Sequence, residues 1–372
     1  MHFAFCILHF RNILVIGAGP AGSTAALLLA RRGFHVTLIE QSRFPRAKVC
    51  GECLSALGID VLARIGLVNR VHGSGAIPLT RTLFHAPSGE HVELPLHRPM
   101  LGISRFTLDA ILLETAIEAG VQIHQPARCE SLRPTSNGVA ATIRDLSDQH
   151  IHELHADLAV VADGKSALLA RRPAATGDFG IKAHFVDVDA PPNAIELFGV
   201  TGHYGGLSAV EDGRWNSSFS VPATRLRAAR GQLDALWIEI MKENFAFASR
   251  MKHAKRVSDW CTSPLPRFGV IRDWQANVIP IGNAAAAIEP IGGEGIGLAL
   301  RSAELATDAI ASNRLDPAAL RREYETLWNP RRFACRMAAK IVSSPTLAGP
   351  TLELLQQDNP LTRMMLRFVG KT

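Results

Sequence analysis

Residues 46–58, RAKVCGECLSALG, contain two cysteines at C-x-x-C spacing, Cys50 and Cys53. Such a pair can bind a metal ion or form a redox-active disulfide, and it can also be a tight loop with a small buried thiol. A structural zinc site needs four ligands, usually supplied as two such pairs. The sequence has no second C-x-x-C pair, which disfavours a metal site. The choice between the other two depends on the surrounding sequence.

A glycine-rich segment precedes the cysteine pair. The stretch 12–40, NILVIGAGPAGSTAALLLARRGFHVTLIE, predicts a strand, a helix and a second strand. Gly17 allows the tight turn after the first strand, Gly19 lets the backbone approach a pyrophosphate, and Gly22 lets the helix pack closely on the strand. The helix N-terminus offers free N–H groups to the phosphates, and Glu40 follows the second strand, where it can accept hydrogen bonds from ribose hydroxyls. The unit therefore predicts a bound dinucleotide.

A second glycine-rich helix start lies far downstream, in residues 277–300, NVIPIGNAAAAIEPIGGEGIGLAL. A strand runs into Gly282 and Asn283, and the run up to Gly295 and Ile296 opens a long helix. The helix start is a second site for an anion or a dipole. Asn283 is placed to hydrogen-bond a ribityl hydroxyl, and the Gly295 end to place N–H groups on the O2 edge of a flavin. This favours FAD over NAD as the dinucleotide.

Two further segments complete the pattern. LAVVADGKS places Asp163 and Gly164 at a strand end, and GISRFTLDAILLETAIEAGV places Arg105 at the start of an amphipathic helix, from which it can reach a pyrophosphate. With these segments in this order, residues 12–310 resemble the superfamily of FAD-dependent aromatic hydroxylases and geranylgeranyl reductases. The C-G-E-C-L-S stretch that begins at Cys50 is similar to the C-G-E-G-L-S of the geranylgeranyl reductases.

The resemblance implies a set of flavin contacts. The superfamily usually has Asp at the position of Asn283. The Asn side chain retains one acceptor oxygen and adds an N–H donor. Cys50 is the candidate catalytic side chain, because the resemblance places its thiol near the flavin ring. The implied contacts are Gly22, Glu40, Cys50, Gly51, Cys53, Arg105, Ala127, Asn283, Gly295 and Ile296.

The redox interpretation of the cysteine pair remains open at this point. Flavin disulfide reductases also place a cysteine pair soon after the ribose-binding acid, but they carry a second dinucleotide unit. The other candidate for such a unit, GSGAIP at 73–78, has proline in the third glycine position and no clear strand before it. The favoured interpretation is a tight loop whose Gly51 backbone contacts the flavin, with Cys53 a small buried side chain.

The rest of the chain predicts a second sheet. Residues 81–95 indicate a hairpin that turns at Ser88-Gly89, and residues 128–161 a small antiparallel meander. Strand-like runs continue over 178–223, and the resemblance implies that this sheet faces the flavin. The predicted fold is α/β with α+β elements: a Rossmann-like FAD-binding domain, an interleaved antiparallel-sheet substrate domain and a helical C-terminus. The predicted boundaries are 1–70, 100–177 and 271–312 for the first, 71–99 and 178–270 for the second, and 313–372 for the third.

Composition and charge narrow the partners. With 40 basic and 34 acidic residues the net charge is +6, an excess too diffuse to indicate nucleic acid. Six scattered cysteines favour a reducing compartment, so a cytoplasmic location is predicted. The apolar N-terminus covers about ten residues, whereas a bilayer span needs about 20. Residues 361–368 have apolar and basic side chains at helical spacing, which suggests a docked terminal helix or peripheral membrane contact. The sequence leaves the oligomeric state open.

Three functions are compatible with these features. The favoured hypothesis is an NAD(P)H-dependent monooxygenase acting on a small apolar or polyketide-like substrate. The alternatives are a geranylgeranyl-reductase-like flavin reductase of prenyl C=C bonds and a flavin-binding protein without turnover. The C-G-E-C-L-S stretch favours the reductases. Lipid-reducing relatives, however, line the pocket with Tyr-x-Trp-x-Phe-Pro, and here Tyr204 is followed by Gly206, Ser208 and Ala209 at the other three positions. The sequence also lacks the Trp-x-Trp-x-Ile-Pro stretch of flavin halogenases.

Overall fold

A computed structural model describes residues 11–164, 168–169, 177–266, 268–312 and 315–356. The strands are β1 (Asn12–Ile16), β2 (His35–Ile39), β3 (Cys53–Leu54), β4 (Ile77–His85), β5 (His91–Gly102), β6 (Gln122–His124), β7 (Ala127–Thr135), β8 (Gly138–Asp145), β9 (Ile151–Ala156), β10 (Leu158–Val161), β11 (Asp178–Val186), β12 (Ala194–Val200), β13 (His203–Ala209), β14 (Trp215–Pro222), β15 (Lys255–Arg256), β16 (Cys261–Pro264), β17 (Gly269–Val270), β18 (Val278–Pro280) and β19 (Ala286–Ala287).

The helices lie between these strands and at the end of the described chain. They are α1 (Pro20–Arg31), α2 (Ala56–Arg64), α3 (Val68–Gly73), α4 (Arg105–Glu118), α5 (Ala223–Ala228), α6 (Leu233–Glu243), α7 (Phe245–Arg250), α8 (Gly295–Ala311), α9 (Pro317–Val342) and α10 (Ala348–Gln356). Short 3-10 turns cover Gly282–Ala284 and Pro290–Gly292. In the described part of the chain, no helix is both long and apolar enough to cross a membrane.

A parallel sheet carries the first glycine motif. Its strand order is β18-β10-β1-β2-β6, and β1 lies between β2 and β10. The four apolar residues of β1 after Asn12 are buried, as a central parallel strand requires, because helices cover both faces of such a sheet. Helix α1 leaves the carboxyl end of β1 and packs against α4 and α8. The predicted strand–helix–strand unit is confirmed.

A larger sheet forms the second layer, with the order β15-β11-β14-β13-β12-β4-β5-β3 and with β16 also paired to β11. The predicted hairpin of 81–95 is confirmed in type and extends further than expected, since β5 continues to Gly102 and crosses the predicted domain boundary at residue 100. The sheet was expected to be antiparallel throughout, but β4 and β12 pair in parallel. This parallel pair joins the hairpin to the strands that follow residue 177.

Two differences concern the predicted meander of 128–161. Strands β7, β8 and β9 form the expected three-stranded antiparallel sheet, but Leu158–Val161 belongs to the parallel sheet beside β1. All four residues of this strand are buried, which the position between β1 and β18 explains. The C-terminal region is helical through α9 and α10, as predicted. The apolar and basic stretch 361–368 lies outside the described residues.

Candidate active site

A cavity of about 250 Å³ lies between the parallel sheet and the large sheet. Its walls come from both glycine-rich segments, from the Cys50–Cys53 loop and from β11 to β14. Most of the predicted cofactor residues meet here although they are far apart in sequence. Those on the wall are Gly19, Cys50, Gly51, Cys53, Arg105, Gly164, Gly282, Asn283, Gly295 and Ile296.

The first glycine loop has the geometry that close approach to a phosphate requires. Gly17 adopts a φ of +99°, and a Cβ added at Gly22 would lie 1.7 Å from the Gly17 carbonyl oxygen, so neither position accepts a side chain without rearrangement. At Gly19, by contrast, an added Cβ would meet only guanidinium nitrogens, 3.8 Å from Arg105 Nη2 and 4.0 Å from Arg46 Nη2. Open space beside backbone N–H groups and two cations is suited to a pyrophosphate.

Positive charge is concentrated at this end of the cavity. Arg105 is buried and pairs with Asp109 through two contacts of 2.6 Å, and Arg46 Nη1 lies 3.4 Å from the same carboxylate. Burial opposes the charge on Arg105, but Asp109 and Cys50 outweigh it, and the pKa of the guanidinium lies above its ordinary value. Lys48 also lines the cavity, and burial together with Arg105 and Arg46 lowers the pKa of its ammonium to about 8. An anion placed among these groups would relieve their repulsion.

The remaining predicted residues of the first half lie around the loop and not on the cavity wall. Glu40 is buried, and its Oε2 accepts a hydrogen bond from Ala18 N at 2.8 Å while its Oε1 accepts one from Ser42 N at 2.7 Å. Ala127 N donates to the Glu40 carbonyl at 2.7 Å, so these two predicted residues are in direct contact. Asp163 Oδ2 accepts a hydrogen bond from Leu168 N, five positions later in the chain, at 3.2 Å.

The second glycine-rich segment packs directly on the first helix. A Cβ added at Gly282 would lie 2.9 Å from Ala21 Cβ, so the two segments meet at van der Waals distance. Gly295 begins α8, and an added Cβ there would have no neighbour within 4 Å. Asn283 is exposed on the cavity wall beside it. The two helix N-termini therefore open into one cavity, as the prediction of a single dinucleotide requires.

The Cys50–Cys53 loop is held between helix α4 and the large sheet. Asn216 Nδ2 donates to the Cys50 carbonyl at 3.2 Å, and Ser208 Oγ donates to the Gly51 carbonyl at 3.2 Å. Cys53 is buried and its thiol donates to the Gly51 carbonyl at 3.4 Å, while Cys50 faces the cavity. Cys50 and Cys53 are not joined by a disulfide bond in this structure. The stretch 73–78 follows helix α3 and not a strand, so it does not form a second dinucleotide unit.

Glu52, which sequence reasoning did not select, anchors this loop. It is fully buried with a left-handed φ of +55°, and its carboxylate accepts hydrogen bonds from Arg105 N at 2.7 Å, from Lys182 Nζ and from His184 Nε2 at 2.6 Å. Burial raises the pKa of the carboxyl, but Lys182 and His184 outweigh it, so the pKa lies below its ordinary value. The sequence signal is a lysine within the apolar strand run IKAHF, where an unpaired charge would be costly.

His184 and His203 of the large sheet lie at buried, hydrogen-bonded positions. His184 bonds to Glu52, and His203 is buried with Nδ1 3.2 Å from the Thr201 carbonyl oxygen. Burial and the nearby Arg225 lower the pKa of His203 to about 4. In the described part of the chain, no three His, Cys, Asp or Glu side chains are grouped as metal ligands.

The wall opposite the cationic end is largely apolar. It includes Ile195, Leu197 and Leu207 from the large sheet, and Trp328 from α9. The ring of Phe219 lies 2.2 Å from the position of a Cβ added at Gly205, so glycine is needed there to admit the ring.

Tyr204 is the aromatic hydroxyl on this side of the cavity, which Ser208, Ser218 and Ser220 also line. It is buried, and its hydroxyl donates to Glu289 Oε1 at 2.6 Å. A largely apolar wall with a few hydroxyls is suited to an apolar substrate that reacts at a defined point.

These residues fit FAD, since the loop, the cations and the second helix N-terminus can receive the pyrophosphate and the flavin. Residues 11–314 match the FAD-binding domain family. The chain is 25% identical to the menaquinone reductase of Mycolicibacterium smegmatis, over 96% of this chain and 91% of that protein. It is 30% identical to kynurenine 3-monooxygenase of Xanthomonas campestris pv. campestris, over 50% of this chain and 43% of that protein.

A solved structure of a geranylgeranyl bacteriochlorophyll reductase-like protein from Thermoplasma acidophilum has the same fold. The TM-score is 0.76 at 20% identity, and the superposition covers 98% of this chain and 97% of that one. The predicted fold class and the resemblance to the reductase and hydroxylase superfamily are thereby confirmed, as are the cofactor and the class of enzyme. The chain is an FAD-dependent oxidoreductase that belongs to the FAD-binding domain family.

Proposed function

We propose that the protein is a reductase, which uses reduced FAD to reduce a conjugated double bond or quinone in an apolar small molecule. The observation that carries this proposal is one continuous cavity, cationic around Gly19 and Arg105 and apolar along β12 and β13. Similarity to a menaquinone reductase along almost the whole chain supports it. The electron donor is NAD(P)H or another reductant.

In this reaction the residues of the chain bind the cofactor, orient the substrate and exclude water. The Gly17–Gly22 loop, Arg46 and Arg105 would hold the pyrophosphate of FAD, and the N-terminus of α8 at Gly295 would contribute to the flavin site. Bound FAD supplies the hydride chemistry. The side chains of Ile195 and Leu197 keep the substrate side dry, which strengthens the polar interactions that remain inside.

Monooxygenation is the second candidate function. It is supported by the similarity to kynurenine 3-monooxygenase, which has a higher identity than the reductase but covers only half of the chain. The same cavity would then hold an apolar substrate beside a flavin that reacts with O₂.

We also propose that the protein makes peripheral contact with a membrane. Exposed apolar and basic side chains on α9 support that contact. Phe333 is 72% and Met337 41% exposed, and Arg332, Arg336 and Lys340 are exposed near them on the same helix. We expect salt-sensitive sedimentation with anionic liposomes, which Phe333→Ser should weaken. Equal binding to neutral and anionic liposomes would contradict an electrostatic surface contact.

Anaerobic photoreduction of the FAD-loaded protein separates the candidates. A reductase should be reoxidised without O₂ when a short-chain menaquinone or a conjugated prenyl compound is added. A monooxygenase should not be, and O₂ should then give a transient C4a-adduct absorbance. A flavin-binding protein without turnover should show no reoxidation by either substrate, no C4a-adduct absorbance and no substrate-stimulated oxidation of NADH or NADPH.

A further inference from the structure

The hydroxyl of Tyr204 lies between the cavity and a carboxyl group. Tyr204 is in β13 and lines the cavity, and its hydroxyl donates to Glu289 Oε1 at 2.6 Å. Glu289 directly precedes the 3-10 turn Pro290–Gly292, which leads to the flavin-facing start of α8. It is only partly buried, whereas Tyr204 is 7% exposed. The pair thus connects the interior of the cavity with a more accessible side of the protein.

Burial and one neighbouring carboxylate raise the pKa of Glu289. Burial raises the pKa of Glu289, the carboxylate of Asp178 on β11 raises it further, and the Tyr204 hydrogen bond and Arg336 on α9 act in the opposite direction. The net pKa lies above the ordinary value. Burial, Glu289 and Cys335 also place the pKa of Tyr204 well above its usual range, so the phenol keeps its proton.

We propose that Tyr204 gives a proton to the bound substrate and that Glu289 returns a proton to Tyr204. This rests on the proposed reductase function. Reduction of C=C to CH–CH needs a hydride at one carbon and a proton at the other, and reduction of a quinone to a quinol likewise takes one hydride and one proton. Reduced FAD would supply the hydride with its electron pair and be oxidised. The Tyr204 hydroxyl, which donates to Glu289 Oε1 in this structure, would turn to the substrate and give up its proton. Its oxygen would then take a proton from the protonated Glu289 carboxyl, and Glu289 would take one from water, which leaves hydroxide in the solvent. The external reductant then restores the reduced FAD.

Removing the hydroxyl should slow only the transfer to substrate. In Tyr204→Phe we expect anaerobic reoxidation by the menaquinone to slow by about 100-fold or more, the usual contribution of a positioned acid. FAD binding and reoxidation by O₂ should be unchanged. The matched control is Tyr324→Phe, because Tyr324 is also buried but its hydroxyl donates to the Ser302 carbonyl at 3.2 Å, away from the cavity wall. It should transfer at the wild-type rate.

Glu289→Gln separates proton supply from shape. The wild-type rate should fall as the pH rises through the raised pKa of Glu289, because the protonated form is the one that supplies the proton. Glu289→Gln should have a lower rate than the wild type at low pH, and this rate should no longer fall as the pH rises. The KM for the menaquinone should change little. A rate for Tyr204→Phe equal to that of Tyr324→Phe would overturn the proposal.

Infrared titration of the FAD-loaded protein gives a readout that is independent of turnover. The C=O band of a protonated carboxyl should persist to a higher pH than that of an ordinary glutamate; it should disappear in Glu289→Gln and shift in Tyr204→Phe. If no band depends on Glu289, the proton relay is wrong whatever the reaction is. If the band behaves as expected but no quinone or alkene reoxidises the wild-type flavin, the reductase function fails and the protonated pair stands.

Discussion

Glu52 Oε2 lies 2.6 Å from His184 Nε2, and the same carboxylate receives the ammonium of Lys182, which is 130 positions away in the chain. All three side chains are buried. The group ties the Cys50–Cys53 loop to β11, while Arg105 N ties it to α4. This loop on the cavity wall is therefore held by buried charge and not by packing alone.

Replacing Glu52 with Gln should destabilise both the fold and the cofactor site. Removing one partner leaves the Lys182 charge buried and unpaired, which costs about 3–5 kcal/mol in the free energy of unfolding. The affinity for FAD should also fall, because Glu52 positions the start of α4. Urea unfolding and FAD titration measure the two effects.

Glu118→Gln is the matched control for this substitution. Glu118 pairs with Arg70 on the surface with its side chain 60% exposed, so the change should be within about 0.5 kcal/mol. The Glu52 carboxyl has a lowered pKa, so its contribution is present above its ordinary pKa and is lost as the pH falls through the lower folded value. The difference between wild type and Glu52→Gln should therefore shrink in acid. Equal unfolding of the two variants at neutral pH would contradict the buried-charge argument.

Gly19 and Gly22 should respond differently to alanine. An added Cβ at Gly19 enters open space, so Gly19→Ala should unfold like the wild type but lose at least about tenfold in FAD affinity, because the methyl group occupies the pyrophosphate position. In Gly22→Ala the Cβ would clash with the Gly17 carbonyl, so the melting temperature should fall as well. Gly73→Ala is the control, since its Cβ meets nothing within 4 Å. Normal FAD binding by Gly19→Ala would place the pyrophosphate elsewhere.

Much of the site could be predicted from sequence because it depends on local backbone geometry. The glycine loop at 17–22, the helix start at Gly295 and the acid Glu40 follow from short motifs with a physical reason for each residue. The Glu52–Lys182–His184 group and the Tyr204–Glu289 pair could not, because their members are brought together by sheet register over long separations. The parallel pairing of β4 with β12 was missed for the same reason. The alternation of side chains along a strand does not specify which other strand it pairs with.

The affinity for FAD should depend on pH through Lys48. The ammonium has a pKa of about 8 without the cofactor, and it is charged below that pH. Bound pyrophosphate stabilises the charged form, so the dissociation constant should rise above pH 8, by at most about tenfold per pH unit, until the pKa of the complex is reached. Lys48→Met should bind more weakly below pH 8 and lose this step. Lys252→Met, at an exposed position, should retain it. A pH-independent wild-type affinity between pH 7 and 9 would exclude Lys48 from the phosphate site.

Cys53 is a test of the interpretation of the cysteine pair. Its buried thiol donates to the Gly51 carbonyl and lies beside the Gly293 backbone, where an added Cβ would be 3.3 Å from Cys53 Cβ, so it fills a small interior space. Cys53→Ala should therefore keep FAD bound and retain NAD(P)H-dependent turnover, with only a modest loss of stability. Steady-state oxidation of NADH and NADPH, with the flavin absorbance recorded on the same sample, measures both.

Cys50→Ala completes this experiment, because the Cys50 thiol faces the cavity beside Arg105. A catalytic disulfide needs both sulfur atoms, so each single variant would abolish turnover while FAD stays bound. If Cys50 alone acts near the flavin, Cys50→Ala should lose rate and Cys53→Ala should not. Loss of turnover in both variants, with the flavin retained, would replace the tight-loop interpretation with electron transfer through the C-x-x-C pair.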